Sequence, residues 1–138
     1  MIFLYILLVV LISILAIAIA ASKNYLVERT ILINKPLTEV FNYIKYIKKQ
    51  DNWSPWKKKD PTMSQEFYGE DGTIGFIASW IGNKEVGEGE QEIKNIINNS
   101  RLESQLRFLK PWKSKSDAYI DVKEIDADST EVIWGFWE

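Results

Sequence analysis

Residues 2–21 form an apolar run broken only by Tyr5 and Ser13, and no charged side chain occurs before Lys23. At 1.5 Å per residue, a helix of this length spans about 30 Å, one bilayer hydrocarbon core. So uniform a run has no polar face, which argues against a helix lying on a soluble domain. Residues 1–22 are therefore read as a transmembrane anchor, making the chain a single-pass membrane protein. Ala18-Ile19-Ala20 also resembles the cleavage site of a secretory signal. Against cleavage, a basic start is missing and the apolar run is long for a signal. Lys23, Arg29 and Lys35 follow the run and no Lys or Arg precedes it, so the positive-inside rule favours a cytoplasmic domain.

The pattern then changes to alternation. Residues 24–34 read as a strand with apolar character on both faces near its end. Pro36 permits a helix start and Thr38 can cap it. Val40, Phe41, Ile44 and Ile47 recur at helical spacing, predicting an amphipathic helix of about three turns. Ser54-Pro55 disfavours a continuous helix, so residues 51–56 read as a short helical turn or loop carrying Trp53 and Trp56. Six strands follow, at 63–68, 75–81, 85–97, 101–109, 117–125 and 130–137, separated by turn signals such as Gly82-Asn83 and Asn98-Asn99. Gly87 and Gly89 share one face of the third of these, which marks a bend or a close approach. The order predicts an α+β fold: a curved antiparallel sheet whose concave apolar face is covered by an early helix pair.

The chain has 138 residues, enough for one domain beyond the leader. It contains no histidine and no cysteine, which excludes a Ser-His-Asp triad, a Cys-His pair, a zinc finger and a disulfide framework. Seventeen basic and nineteen acidic residues give a net charge of −2, with no basic stripe for a nucleic acid. Glu88, Glu90 and Glu92 fall on one strand face, but hard cations need oxygen ligands from converging segments. That face is read as solvated, and no metal or cofactor is expected. The Lys57-Lys58-Lys59 run is read as solvated too, and beside a cytoplasmic leaflet it would touch anionic lipid heads.

Six Trp, six Tyr and six Phe imply an aromatic core or an aromatic-lined pocket. By alternation, Phe76, Trp80, Leu106, Phe108, Ile120, Val122 and Trp134 point inward, either lining a groove or packing as ordinary core. Trp53 and Trp56 plug the domain edge or stand at a pocket mouth, where an indole offers an apolar body and one N–H. Gln65, Glu85 and Gln91 are the polar residues on inward faces. Glu85 in an apolar groove would have a raised pKa and could move protons. Its other reading is an exposed residue beside the Gly82-Asn83 turn.

The runs VERTILINKPLTEVFNYI, NWSPWKKKDPTM, GNKEVGEGEQEI, RLESQLRFLKPW and TEVIWGFWE, in that order, resemble the SRPBCC superfamily, the START-like group that includes polyketide cyclase/dehydrase and lipid-transport types. The likeness covers about residues 25–138 and is nearest to bacterial members with an N-terminal membrane helix. It implies a β-α-α-β6-α helix-grip fold whose cavity takes an apolar or aromatic small molecule. The last predicted strand ends at the chain's last residue, so residues 23–138 are read as a START-like domain truncated before the long final helix. The function this implies is membrane-tethered binding of a hydrophobic small molecule or lipid. Trp53, Trp56, Phe76, Trp80, Glu85, Gln91, Leu106, Phe108, Ile120 and Trp134 would form the ligand site. Two other functions fit the resemblance: a cyclase or aromatase of polyketide-like substrates, with Glu85 as acid or base, and an interaction subunit whose groove takes a partner helix.

Overall fold

In the computed structural model, which describes residues 1–21 and 24–137, the leader is one unbroken helix, α1 (Ile2–Ala20). None of its residues is buried, and it is long and apolar enough to cross a membrane. After β1 (Leu26–Ile33) come three short helices, α2 (Leu37–Ile44), α3 (Ile47–Gln50) and α4 (Pro55–Lys59). The strands β2 (Ser64–Tyr68), β3 (Ile77–Ile81), β4 (Glu88–Ile97), β5 (Arg101–Lys110), β6 (Ser114–Asp126) and β7 (Ser129–Trp137) complete the described chain. All seven strands join one antiparallel sheet in the order β1-β7-β6-β5-β4-β3-β2. β2 to β7 are linked in sequence to their neighbours, while β1 pairs with the last strand, so β1 and β2 are the edges.

Residues opposite one another in the ladder share a face. Leu102, Ile120 and Trp134 are successive partners across β5, β6 and β7, and all belong to the concave side. There α2 lays Val40, Phe41 and Ile44 against Phe76, Ile93, Leu102 and Val122. Phe41 and Ile93 have no exposed surface, and they mark the centre of the core. The helices cover only the part of the concave face near this cluster.

The predicted three-turn helix is two helices. The amide N–H groups of Ile47 and Lys48 donate to the Asp71 carboxylate at 2.8 and 3.0 Å, from a turn 23 and 24 residues away. A distant carboxylate thus caps a new helix start and breaks the periodic run after Ile44. Thr38 is not a cap; it lies inside α2, whose cap position is Pro36, and no side chain caps that end. At α4 the extended Ser54 precedes Pro55 in the first turn, where a missing N–H costs nothing.

The convex side carries the charge. Arg107 reaches Glu90 at 2.7 Å and Glu92 at 2.6 Å, and Lys110 reaches Glu88 at 3.0 Å. The acidic run of β4 is therefore engaged by cations on β5, and the Arg107 guanidinium holds the Glu92 carboxyl below its ordinary value. Farther along, Glu28, Gly135 and Tyr119 are successive partners across β1, β7 and β6. A Cβ on Gly135 would stand 2.5 Å from the Tyr119 ring. Because glycine leaves that space, the ring lies across β7 and its hydroxyl donates to Glu28 on the edge strand.

Candidate functional site

Beyond α2, the concave face opens into a cleft of about 320 Å³ between β2–β5, the α3–α4 segment and the β5–β6 loop. Its walls are apolar: Trp80, Leu106 and Phe108 from the sheet, with Met63 and Val86 beside them. Trp80 and Phe108 meet edge to face, ring centres 6.1 Å apart. Gly89 lies against the Trp80 indole, where an added Cβ would come within 2.7 Å of the ring. The glycine on β4 thus makes room for the tryptophan on β3. At the mouth stand Trp56 and Trp112, with 49 % and 78 % of their surface exposed.

Besides Glu85, four carboxamide or carboxylate residues line the cleft: Gln50, Asp51, Gln65 and Gln91. Three are engaged. Gln91 donates to the Ser104 hydroxyl at 3.1 Å. Gln65 donates to Asp51 at 3.3 Å and accepts from Lys57 at 2.9 Å. The fourth, Gln50, has a buried Nε2 with no hydrogen-bond partner among the described residues. A buried donor without an acceptor costs about 1–3 kcal/mol, and a rotation of this side chain into the cleft would let a ligand supply the acceptor.

The rim at the β3–β4 turn is held by buried Asp60. Its carboxylate accepts the Asn83 N–H at 2.8 Å and the Thr62 N–H and hydroxyl at 3.2 and 3.0 Å. The Asn83 N–H, with Thr62 and the Lys57 charge behind it, outweighs burial and keeps the Asp60 carboxyl below its ordinary value. Asn83 in turn accepts the Glu85 and Val86 N–H groups at 3.0 and 3.1 Å. Gly87 follows at φ +69°, and a Cβ there would meet the Lys110 carbonyl at 2.2 Å. That left-handed residue ends the turn, so β4 begins at Glu88 rather than at Glu85.

Of the residues singled out by sequence, Trp56, Trp80, Glu85, Gln91, Leu106 and Phe108 line the cleft. Glu85 does so as an exposed residue of the turn, not as a carboxylate sunk in an apolar strand face. Phe76, Ile120 and Val122 do not reach the cleft; they are buried in the core beneath α2. Trp134 packs against that same core, and Trp53 is 40 % exposed outside the cleft lining. Gln50, Met63, Val86 and Trp112 are lining residues that the sequence pattern did not single out.

No family model matches the chain, and no curated protein matches it. Solved structures do. Truncated norcoclaurine synthase from Thalictrum flavum is 13 % identical, with 83 % of this chain aligned to 74 % of that one at a TM-score of 0.67. The same synthase in complex with dopamine and hydroxybenzaldehyde is 12 % identical, over 83 % of this chain and 68 % of that one, with a TM-score of 0.65. A solution structure from Thermobifida fusca is 16 % identical, over 80 % and 71 %, with a TM-score of 0.58. At these identities the likeness establishes the fold, the START-like helix-grip fold, and activity has to be argued from the cleft itself.

Proposed function

We propose that the chain is a membrane-tethered module that binds a hydrophobic small molecule or lipid in the cleft between sheet and helices. The observation that carries this reading is the combination in one cleft of an apolar wall and a single unpartnered amide donor at Gln50. Ligand sites are mostly apolar concavities of this size with a few convergent polar groups. The ligand class that fits is an amphiphile with an apolar body and an acceptor oxygen at one end. Burial of its apolar body against Trp80, Leu106 and Phe108 supplies the affinity, and Gln50, once its amide turns into the cleft, orients the acceptor end. The likeness in fold to norcoclaurine synthase, whose structure holds dopamine and hydroxybenzaldehyde, supports small-molecule binding by this fold. α1, apolar around its whole circumference and unburied, supports tethering in a bilayer. A cyclase or aromatase has less behind it, because the one acid named for proton transfer, Glu85, is exposed on a turn.

The test compares small molecules that co-purify with the full-length chain and with Leu106→Trp, which fills the cleft. Both are extracted from cells in the same membrane mimetic, and folding is checked by circular dichroism. A species enriched with the native chain and missing from the variant supports the reading. Identical profiles from two folded proteins overturn it.

A further inference from the structure

We propose that the mouth of the cleft is itself a docking surface for an anionic lipid bilayer, so that the cleft opens onto the membrane that holds α1. This rests on the ligand-binding reading and adds where the ligand enters. The first support is topological. Antiparallel pairing alternates along the sheet, so β1, β6, β4 and β2 all begin at one end, where β7, β5 and β3 finish. Leu26, Trp137, Asp117 and Gln105 form a single row that starts β1 and ends β7 but meets β5 at mid-strand, five residues before Lys110, and runs on through Glu92 to the start of β3 at Ile77 and the end of β2 at Tyr68. The tether therefore points the same way as the β3–β4 turn, the β5–β6 loop and the start of β2, which rise beyond its entry row by about five residues of strand, roughly 17 Å. These are the segments around the cleft mouth. Only five residues of chain advance separate Ala21 from Leu26, a reach of at most about 18 Å when fully extended. That reach is of the same order as the rise from the entry row to the cleft mouth, so α1 and the mouth can meet one bilayer surface.

The second support is the chemistry of that end. Trp112 and Trp56 project from the mouth with most or half of their surface exposed, and indoles partition to the bilayer interface. Around them lie Lys57, Lys58 and Lys59 on α4, Lys84 in the β3–β4 turn, and Lys110 and Lys113 flanking the β5–β6 loop. Two of the acidic groups nearby are engaged, Glu88 by Lys110 and Asp60 by N–H donors, while Glu85 stands exposed in the turn and Asp117 exposed on β6. At the ends of these strands away from the cleft mouth, the strand-to-strand turns carry Glu70, Asp71 and Asp128, Asp126 closes β6, and none of these turns holds a lysine. The lysines of the α2–α3 segment lie over the Tyr43, Tyr46 and Phe67 rings, on the helical layer. A net charge of only −2 thus hides a cleft mouth that is basic, complementary to an anionic leaflet, and acidic turns away from it.

The absence of native cysteine makes the test direct. The full-length chain is reconstituted in phosphatidylcholine vesicles with or without phosphatidylglycerol. It carries a fluorophore at Lys113→Cys in the loop by the mouth, or at Asp128→Cys in a far turn, and nitroxide-labelled lipid is the quencher. The expected result is quenching several-fold stronger at position 113 than at 128. It should fall when phosphatidylglycerol is omitted, and again in about 0.5 M salt, where screening acts within a few ångströms. Lys57→Glu/Lys58→Glu/Lys59→Glu should weaken it in the same way, and the salt series on the native lysines stands whether or not that variant folds. Equal quenching at both positions, stronger quenching at 128, or quenching indifferent to phosphatidylglycerol and salt overturns the proposal. Loss of docking with co-purifying ligand retained refutes this proposal alone; docking retained with no ligand refutes the binding reading instead.

Discussion

Trp80 and Gly89 face each other across β3 and β4, and the indole fills the space that a side chain on Gly89 would need. A Cβ there would also stand 2.6 Å from the Arg107 carbonyl on the other flank, which is backbone and does not yield. The aromatic wall of the cleft is therefore specified by a residue with no side chain.

Gly89→Ala should cost about 1–3 kcal/mol, the usual price of overpacking a filled site. Urea denaturation measures the loss. Trp80→Leu in the same chain should restore part of it, because the ring contact is relieved and the carbonyl contact remains. Full restoration would assign the whole effect to the ring.

Gln50→Leu separates ligand binding from stability. It removes a buried donor that has no partner, so the empty protein should be unchanged or slightly more stable. Affinity for a fluorescent long-chain carboxylic acid should fall about three- to tenfold, the worth of one hydrogen bond. A stability loss with unchanged affinity would place Gln50 outside the site.

The Tyr119 hydroxyl donates to Glu28, and that bond, helped by burial and the carboxylate charge, pushes its pKa up to about 12. The protonated phenol is the form the fold favours. Its contribution to stability is complete below the ordinary tyrosine value near 10 and is lost as the pH rises toward about 12. Glu28→Ala should return one tyrosine in an ultraviolet absorbance titration toward the ordinary value. It should also flatten the fall in stability across that alkaline window.

Period-two alternation places the strands and their inward faces well. It does not tell how far along a strand a residue sits, and that distance separates core from cleft. Ile120 and Leu106 carry the same inward signature, yet Ile120 lies beneath α2 and Leu106 beyond it. Only the position of α2 on the sheet decides between them. Gln50 was hidden for a related reason. Between Lys49 and Asp51 it reads as part of a wet helix end, and it turns inward because Asp71, from a distant turn, restarts the helix at Ile47. The strand start is read too early because Glu85-Val86 continues the strand pattern, while the Asn83 side chain and the left-handed Gly87 close a turn there; of the two readings of Glu85, the structure has the exposed residue beside that turn.

β1 is an edge strand and also the first element after α1, so any pull on the tether arrives at Leu26. A pull along the strand axis, away from that end, loads all eight register pairs with β7 at once, in shear. A sideways pull would instead peel them one by one. Tyr119, reaching over β7 to Glu28, rivets the strand two residues inside its loaded end. The sheet is thereby gripped at its seam, and under the proposed tethering a bilayer's undulations would be carried as tension along β1 without prising it from the domain.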